Sequence, residues 1–138
     1  MGEALDRAES ELRPGISDTG MPPLEAVRRI QRDLAAFRSA HQVTRVVVVN
    51  CASTESPAAP DPSHMRLDAL DQALAAGRPV LPASSLYAYA ALDAAVPFVD
   101  FTASTGARLP ALEALAVARG VPHAGRDGKT GETAVSRR

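Results

Sequence analysis

At 138 residues and a formal charge of −1, the chain is one domain at most, long enough to bury a core and too nearly neutral for a non-specific polyanion binder. Hydrophobic residues make up 46% but aromatics only 4%, with no Trp, so the core must be built from Ala, Val and Leu. A single cysteine excludes an internal disulfide, no run approaches the ~18 apolar residues of a membrane span, and the acidic start lacks the basic and apolar regions of a signal peptide, so a cytoplasmic protein without nucleic-acid or membrane partners is expected.

Residues 1–21 hold Glu3, Asp6, Glu9 and Glu11, then Pro14-Gly15 and Asp18-Thr19-Gly20, and read as a flexible N-terminal segment. Pro22-Pro23 then opens a helix, because proline suits the first helical turn. Leu24, Val27, Ile30, Leu34 and Phe37 recur at helical spacing as an apolar stripe, while Arg28, Arg29, Arg32, Asp33 and Arg38 make a solvated face. The helix is expected to end near His41, where a cation suits the helix dipole.

Val46–Val49 follow as a strand, since β-branched side chains fit the pleated backbone. The run has no polar alternation, so both of its faces are expected to be covered, as in a parallel sheet between helices. At its carboxyl end the chain becomes small and polar through Asn50, Cys51, Ala52, Ser53, Thr54 and Glu55. Taken locally, Cys51 reads as a small packing residue. Ser56–Ser63, with Pro57, Pro60 and Pro62, is a loop. Asp61 or Ser63 is expected to cap a helix through about Ala76, with Leu67, Leu70 and Leu74 inward and Gly77 just past its end. His64 has no assigned role.

Pro79–Pro82 reads as a link or a brief strand, and Ser84 or Ser85 as the cap of an alanine-rich helix to about Ala95. Tyr87 and Tyr89 point to different faces of it, one to the core and one outward. Pro97–Thr102 alternates apolar and polar as a second strand, ending in Thr102, Ala103, Ser104, Thr105 and Gly106. Leu109, Leu112, Leu115 and Ala116 form a further helix closed at Gly120, and Val121–Ala124 a third strand before the glycine-rich segment 125–133.

Strand, helix, strand, helix, strand implies βαβ units and a partial Rossmann-like parallel sheet with helices on both faces. Such a sheet brings the polar segments 50–55, 102–106 and 125–133 to one edge, where ligands bind in open α/β folds. Lys129 is the single lysine, set among Gly125, Gly128 and Gly131. Glycine turns with a nearby cation suit a nucleotide or sugar phosphate, and equally suit a plain glycine turn with a solvated lysine. Gly128-Lys129-Thr130 matches the end of a P-loop, but His123 stands where that motif requires its first glycine.

The stretches VVVVNCASTE, SSLYAYAAL with PFVDFTAS, and AGRDGKTGET, in this order and spacing, resemble the inositol-3-phosphate synthase (myo-inositol-1-phosphate synthase) family, closest to its archaeal and actinobacterial branch, over about residues 22–138. The resemblance implies a partial NAD-binding Rossmann-like domain at 22–133, followed by a tail at 134–138. That family uses NAD without net consumption, oxidising glucose 6-phosphate at C5, cyclising the product by aldol chemistry and reducing it to inositol phosphate. Carried onto the matching positions, the resemblance places Cys51, Ala52, Ser53 and Thr54 along the NAD site, with Asp100 and Thr102 beside the cofactor. It places Asp127 and Thr130 in the loop near nicotinamide and substrate, and makes Lys129 and Asp127 catalytic, with Lys129 stabilising oxyanions. No metal is implied.

The sequence departs from the family pattern at four points. Arg126 stands where a second acid is usual, and Asp100 where Asn is usual. Residues 1–45 contain nothing like the family's glycine-rich dinucleotide motif. One lysine cannot assemble a multi-lysine site. The expectation is therefore a truncated internal piece of the enzyme, inactive alone, with an exposed apolar edge that favours self-association. The alternative is a stand-alone nucleotide or sugar-phosphate binding module, or a subunit completed by a partner chain.

Overall fold

The computed structural model describes residues 21–52 and 55–125. In chain order it contains α1 (Pro23–His41), β1 (Val48–Asn50), a 3-10 turn (Pro62–His64), α2 (Leu67–Ala75), α3 (Ala83–Asp93), β2 (Phe98–Asp100), α4 (Pro110–Arg119) and β3 (His123–Gly125). The three strands form one parallel sheet in the order β1-β2-β3, with Val48 opposite Phe98 and Asn50 opposite Asp100, then Asp100 opposite Gly125. All three strands therefore end at the same edge.

The helices begin and stop where the local chemistry dictates. Prolines open α1 and α4, and Glu25 in the first turn of α1 with Arg38 and His41 in its last complement the dipole. Gln42 closes α1 in the left-handed region at φ 51°, and its N–H bonds the carbonyls of Arg38 and Ser39. Gly120 closes α4 in the same way at φ 67°. His41 also lies against the Phe37 ring, with centroids 4.5 Å apart.

α3 is the centre of the core. Leu86, Ala88, Tyr89, Ala90, Ala91 and Leu92 are all buried, because α3 packs against α1, α4 and β2 together. Alanine at 88, 90 and 91 permits the close approach that larger side chains would prevent. Leu70, Leu74, Phe98, Leu112 and Leu115 complete the densest part of the core. Phe37 is the end of the predicted stripe on α1, and it runs past the core into solvent.

The sheet is covered on one face among the described residues, which corrects the expectation of helices on both. Phe98 and Asp100 point into the helical layer and are buried. Their alternates do not: Val47, Val49 and Phe101 are 51%, 47% and 56% exposed. An unbroken valine run is thus compatible with a half-covered strand, since period-2 alternation lies in the surroundings and not in the side chains.

Other local expectations also shift. Asp61 caps the 3-10 turn, accepting from Ser63 N at 2.9 Å and Ser63 Oγ at 2.7 Å, so α2 starts later, at Leu67, without a side-chain cap. Pro79–Pro82 forms no strand. His64 gains a role, because its buried Nε2 lies 2.7 Å from the Val80 carbonyl and must donate to it.

Tyr89 is the core tyrosine of α3, and its hydroxyl donates to Asp71 Oδ1 at 2.7 Å. Tyr87 is half-buried and packs against the core. Burial, then the Asp71 carboxylate, raises the Tyr89 pKa well above the ordinary value of about 10. Its folded pKa exceeds its unfolded one, so its stabilising contribution is whole below about pH 10 and declines as pH rises further. Tyr89→Phe is expected to cost about 1 kcal/mol at neutral pH. The gap to wild type should narrow at about pH 10.5, which denaturant midpoints at the two pH values would check.

Candidate functional site

The shared carboxyl edge of β1 and β2 is built on one carboxylate. Asp100 Oδ1 accepts from Asn50 Nδ2 at 3.1 Å, from Thr102 N at 2.9 Å and from Thr102 Oγ1 at 2.7 Å. Asn50 Oδ1 in turn accepts from Ala52 N at 3.2 Å, which turns the chain out of β1. Thr102 Oγ1 accepts from Ser104 N at 3.0 Å. Asp100 is only 4% exposed, yet its second oxygen, Oδ2, has no hydrogen-bond partner among the described residues. A buried polar atom without a partner is uncommon and marks a place where a ligand or a strained contact is accommodated.

A second set of bonds closes the edge. Ser104 Oγ accepts from Glu55 N at 3.0 Å and Thr105 Oγ1 from Ala58 N at 3.2 Å. The Glu55 carboxylate accepts from Ser84 N at 3.1 Å and from the Ser84 hydroxyl. Gly106 N donates to Ser84 Oγ at 2.9 Å, and Ser85 Oγ donates to the Gly106 carbonyl at 2.7 Å. The serines predicted to cap α3 thus lie in its first turn, Pro82 holds the N-cap position, and Glu55 supplies the missing cap from a distant loop.

Glycine is required at two contacts with Asp100. A Cβ at Gly106, where φ is +51°, would fall 2.3 Å from Asp100 Oδ2. A Cβ at Gly125, where φ is +106°, would fall 2.0 Å from the Asp100 carbonyl oxygen. The second contact brings the end of β3 against β2, so the chain leaving Gly125 starts from the same edge.

The structure therefore brings Cys51, Ala52, Asp100 and Thr102 together. Cys51 is an exposed free thiol, which corrects its reading as a packing residue: β1 ends at Asn50, and position 51 is already outside the sheet. The Thr102 hydroxyl is engaged within the network, as is Asp100 Oδ1. Ser53, Thr54, Asp127, Lys129 and Thr130 lie outside the described residues. Sequence reasoning missed Glu55, Ser84, Ser104 and Gly106. The signal for Glu55 was available, since a helix opening on a proline N-cap needs an acceptor from elsewhere.

A concavity of about 880 Å³ lies at the opposite, amino-terminal end of the strands. Arg38 on its rim donates to the Thr44 carbonyl and Arg119 to Asp93, so these cations are already engaged. The strand-end edge is the better candidate, because its polar groups converge on one small-residue surface. Among the described residues, no cluster of His, Cys, Asp or Glu is arranged to hold a metal, and no helix is long and apolar enough to cross a membrane.

Three comparisons bear on this edge. Residues 11–131 match the model of an NAD-binding family described as myo-inositol-1-phosphate synthase. Inositol-3-phosphate synthase 1 of Bacteroides thetaiotaomicron is 34% identical over 110 residues, which is 79% of this chain and 26% of that protein. The crystal structure of inositol-3-phosphate synthase from Caenorhabditis elegans superposes with a TM-score of 0.69 at 21% identity, over 77% of this chain and 21% of that one. The fold is thus shared, and the chain spans about a quarter of the length of the curated relative. Small residues at 51–52 and 103–106 leave room at this edge for close approach of a dinucleotide. The sequence match over most of the chain and the parallel-sheet edge agree, and the chain belongs to the myo-inositol-1-phosphate synthase family, whose cofactor is NAD.

Proposed function

We propose that this chain supplies part of the NAD site for the conversion of glucose 6-phosphate to myo-inositol 3-phosphate, within a cytoplasmic enzyme. The observation that carries the reading is the convergence of the β1, β2 and β3 ends on Asp100. Residues 22–133 act as a partial NAD-binding domain, between an N-terminal segment at 1–21 and a tail at 134–138. Cys51, Ala52, Ser53 and Thr54 line the cofactor, and Asp100, Thr102, Asp127 and Thr130 lie beside it. Lys129, with Asp127, acts on the sugar phosphate, where its ammonium stabilises developing oxyanions. When bound, NAD supplies a hydride acceptor and donor.

The uncovered Val47, Val49 and Phe101 support a further part of the reading. These side chains form an apolar face beside an edge of β1 that is unpaired among the described residues, and a complementing chain that carries further family sequence would bury it.

The test is calorimetric titration of the purified 138-residue chain with NAD, with and without glucose 6-phosphate, for wild type and Lys129→Ala. Saturable binding is expected, about tenfold weaker in the variant when the sugar phosphate is present, as for loss of one charged contact. No turnover is expected, because a single lysine cannot provide several catalytic ammonium groups. Absence of NAD binding by a chain shown to be folded would overturn the reading, and inositol phosphate formed by the pure chain would overturn the inactivity.

A further inference from the structure

Glu55 is the carboxylate seated at the amino end of α3. That helix begins after Pro82, which has no side-chain acceptor, so the first-turn N–H groups lack a local cap. Glu55 supplies one from 29 positions earlier, accepting from Ser84 N at 3.1 Å through Oε2. Its negative charge also suits the positive end of the helix dipole. The Ser84 hydroxyl donates to the same oxygen while accepting from Gly106 N. Ser84 therefore joins the 55 loop to the 102–106 turn.

The backbone around Glu55 is pinned on both sides. Upstream, Ala52 N is held by Asn50 Oδ1. Downstream, Glu55 N is held by Ser104 Oγ and Ala58 N by Thr105 Oγ1. Only residues 53 and 54 separate the two anchored points.

We infer that Glu55 is a positioning residue: by tying residues 55–58 and the 102–106 turn to the amino end of α3, it holds the strand-end edge that presents Thr102 to the dinucleotide. It acts through the loop and does not touch the cofactor. The cofactor part of this inference rests on the NAD site proposed above. The clamp itself rests on the hydrogen bonds alone.

The test uses the 138-residue chain as wild type, Glu55→Ala, Glu55→Gln, Ser84→Ala and the Glu55→Ala/Ser84→Ala double variant. Amide hydrogen exchange is followed at Glu55 and Ala58, and NAD affinity is measured on the same samples well below the unfolding temperature. In Glu55→Ala, exchange at both amides is expected to rise about tenfold while Ile30 and Leu92 are unchanged, and NAD to bind about tenfold more weakly. Glu55→Gln should restore most of both effects, because its carbonyl in the place of Oε2 can accept from both Ser84 N and the Ser84 hydroxyl. The double variant should be little worse than Glu55→Ala, since the two side chains serve one contact. If Glu55→Ala does not fold, the Gln and Ser84→Ala variants carry the same comparison.

Unchanged exchange at Glu55 and Ala58 would overturn the clamp whether or not NAD binds. Faster exchange with unchanged NAD affinity would overturn the positioning role. No NAD binding by wild type, with exchange still faster in the variant, would overturn the cofactor site and the positioning role while the clamp stands.

Discussion

Gly125→Ala is expected to destabilise the protein on the order of 3–5 kcal/mol, the sum of a strained backbone and an overpacked contact. At Gly125 φ is +106°, which an L side chain rarely adopts. The added Cβ would lie 2.0 Å from the Asp100 carbonyl oxygen and 2.8 Å from its carbon and nitrogen, all backbone atoms of the central strand. Nothing flexible is present to give way, so β3 must separate from β2. β3 is three residues long and pairs with β2 from His123 to Gly125, so displacing its last residue weakens the whole ladder.

Gly77→Ala is the control. It too has a positive φ, +81°, but a Cβ there meets nothing within 4 Å, so only backbone strain of about 1 kcal/mol is expected. Denaturant midpoints for the two variants separate collision from strain. Equal midpoints would mean that β2 and β3 do not approach this closely. Against a total stability of roughly 5–15 kcal/mol, the predicted loss is a large fraction, and the variant is best studied at low temperature in mild conditions. The same displacement would move Gly125 at the strand-end edge, so NAD binding at the site proposed above should weaken along with stability.

The elements were legible because their signals are local. Pro23 at the start of α1, Gly77 and Gly120 past the ends of α2 and α4, and the 3.6-residue spacing of Leu70, Leu74, Leu112 and Leu115 act over one or two turns of chain. That the strands run parallel also followed, since the helices between them act as crossover connections. What covers a strand is not local information. Val47 and Val49 have the same side chain as Val48, and only the position of the helical layer decides that the first two are exposed. The cap of α3 was hidden for a similar reason: Ser84 looks like a cap in sequence, whereas the acceptor comes from Glu55, 29 residues away. The convergence of the polar segments on one edge was legible, but the bonds that organise it were not. Asp100 reads in sequence as an outward polar residue in an alternating strand, yet it faces the helices and is buried.

That burial makes Asp100 the site of the second large effect. Asp100→Ala is expected to cost about 3 kcal/mol or more, because it leaves Asn50 Nδ2, Thr102 N and Thr102 Oγ1 without their acceptor. Asp100→Asn should stay within about 1 kcal/mol of wild type, since one carbonyl oxygen can keep all three bonds in place of Oδ1. The amide nitrogen then takes the position of Oδ2, which has no partner to lose among the described residues. Asn is also the residue that the family resemblance implies at this position. Unfolding midpoints of the three proteins test the ranking, and equal loss in Asn and Ala would show that Oδ2 carries as much as Oδ1. NAD titration of the Asn variant adds the functional half. A stable variant with weaker NAD binding would show that the charge of the Asp100 carboxylate, buried beneath the edge, contributes to cofactor affinity. Unchanged binding would make Asp100 the residue that shapes the edge, with contact to the cofactor left to the exposed backbone of Cys51 and Ala52 beside it.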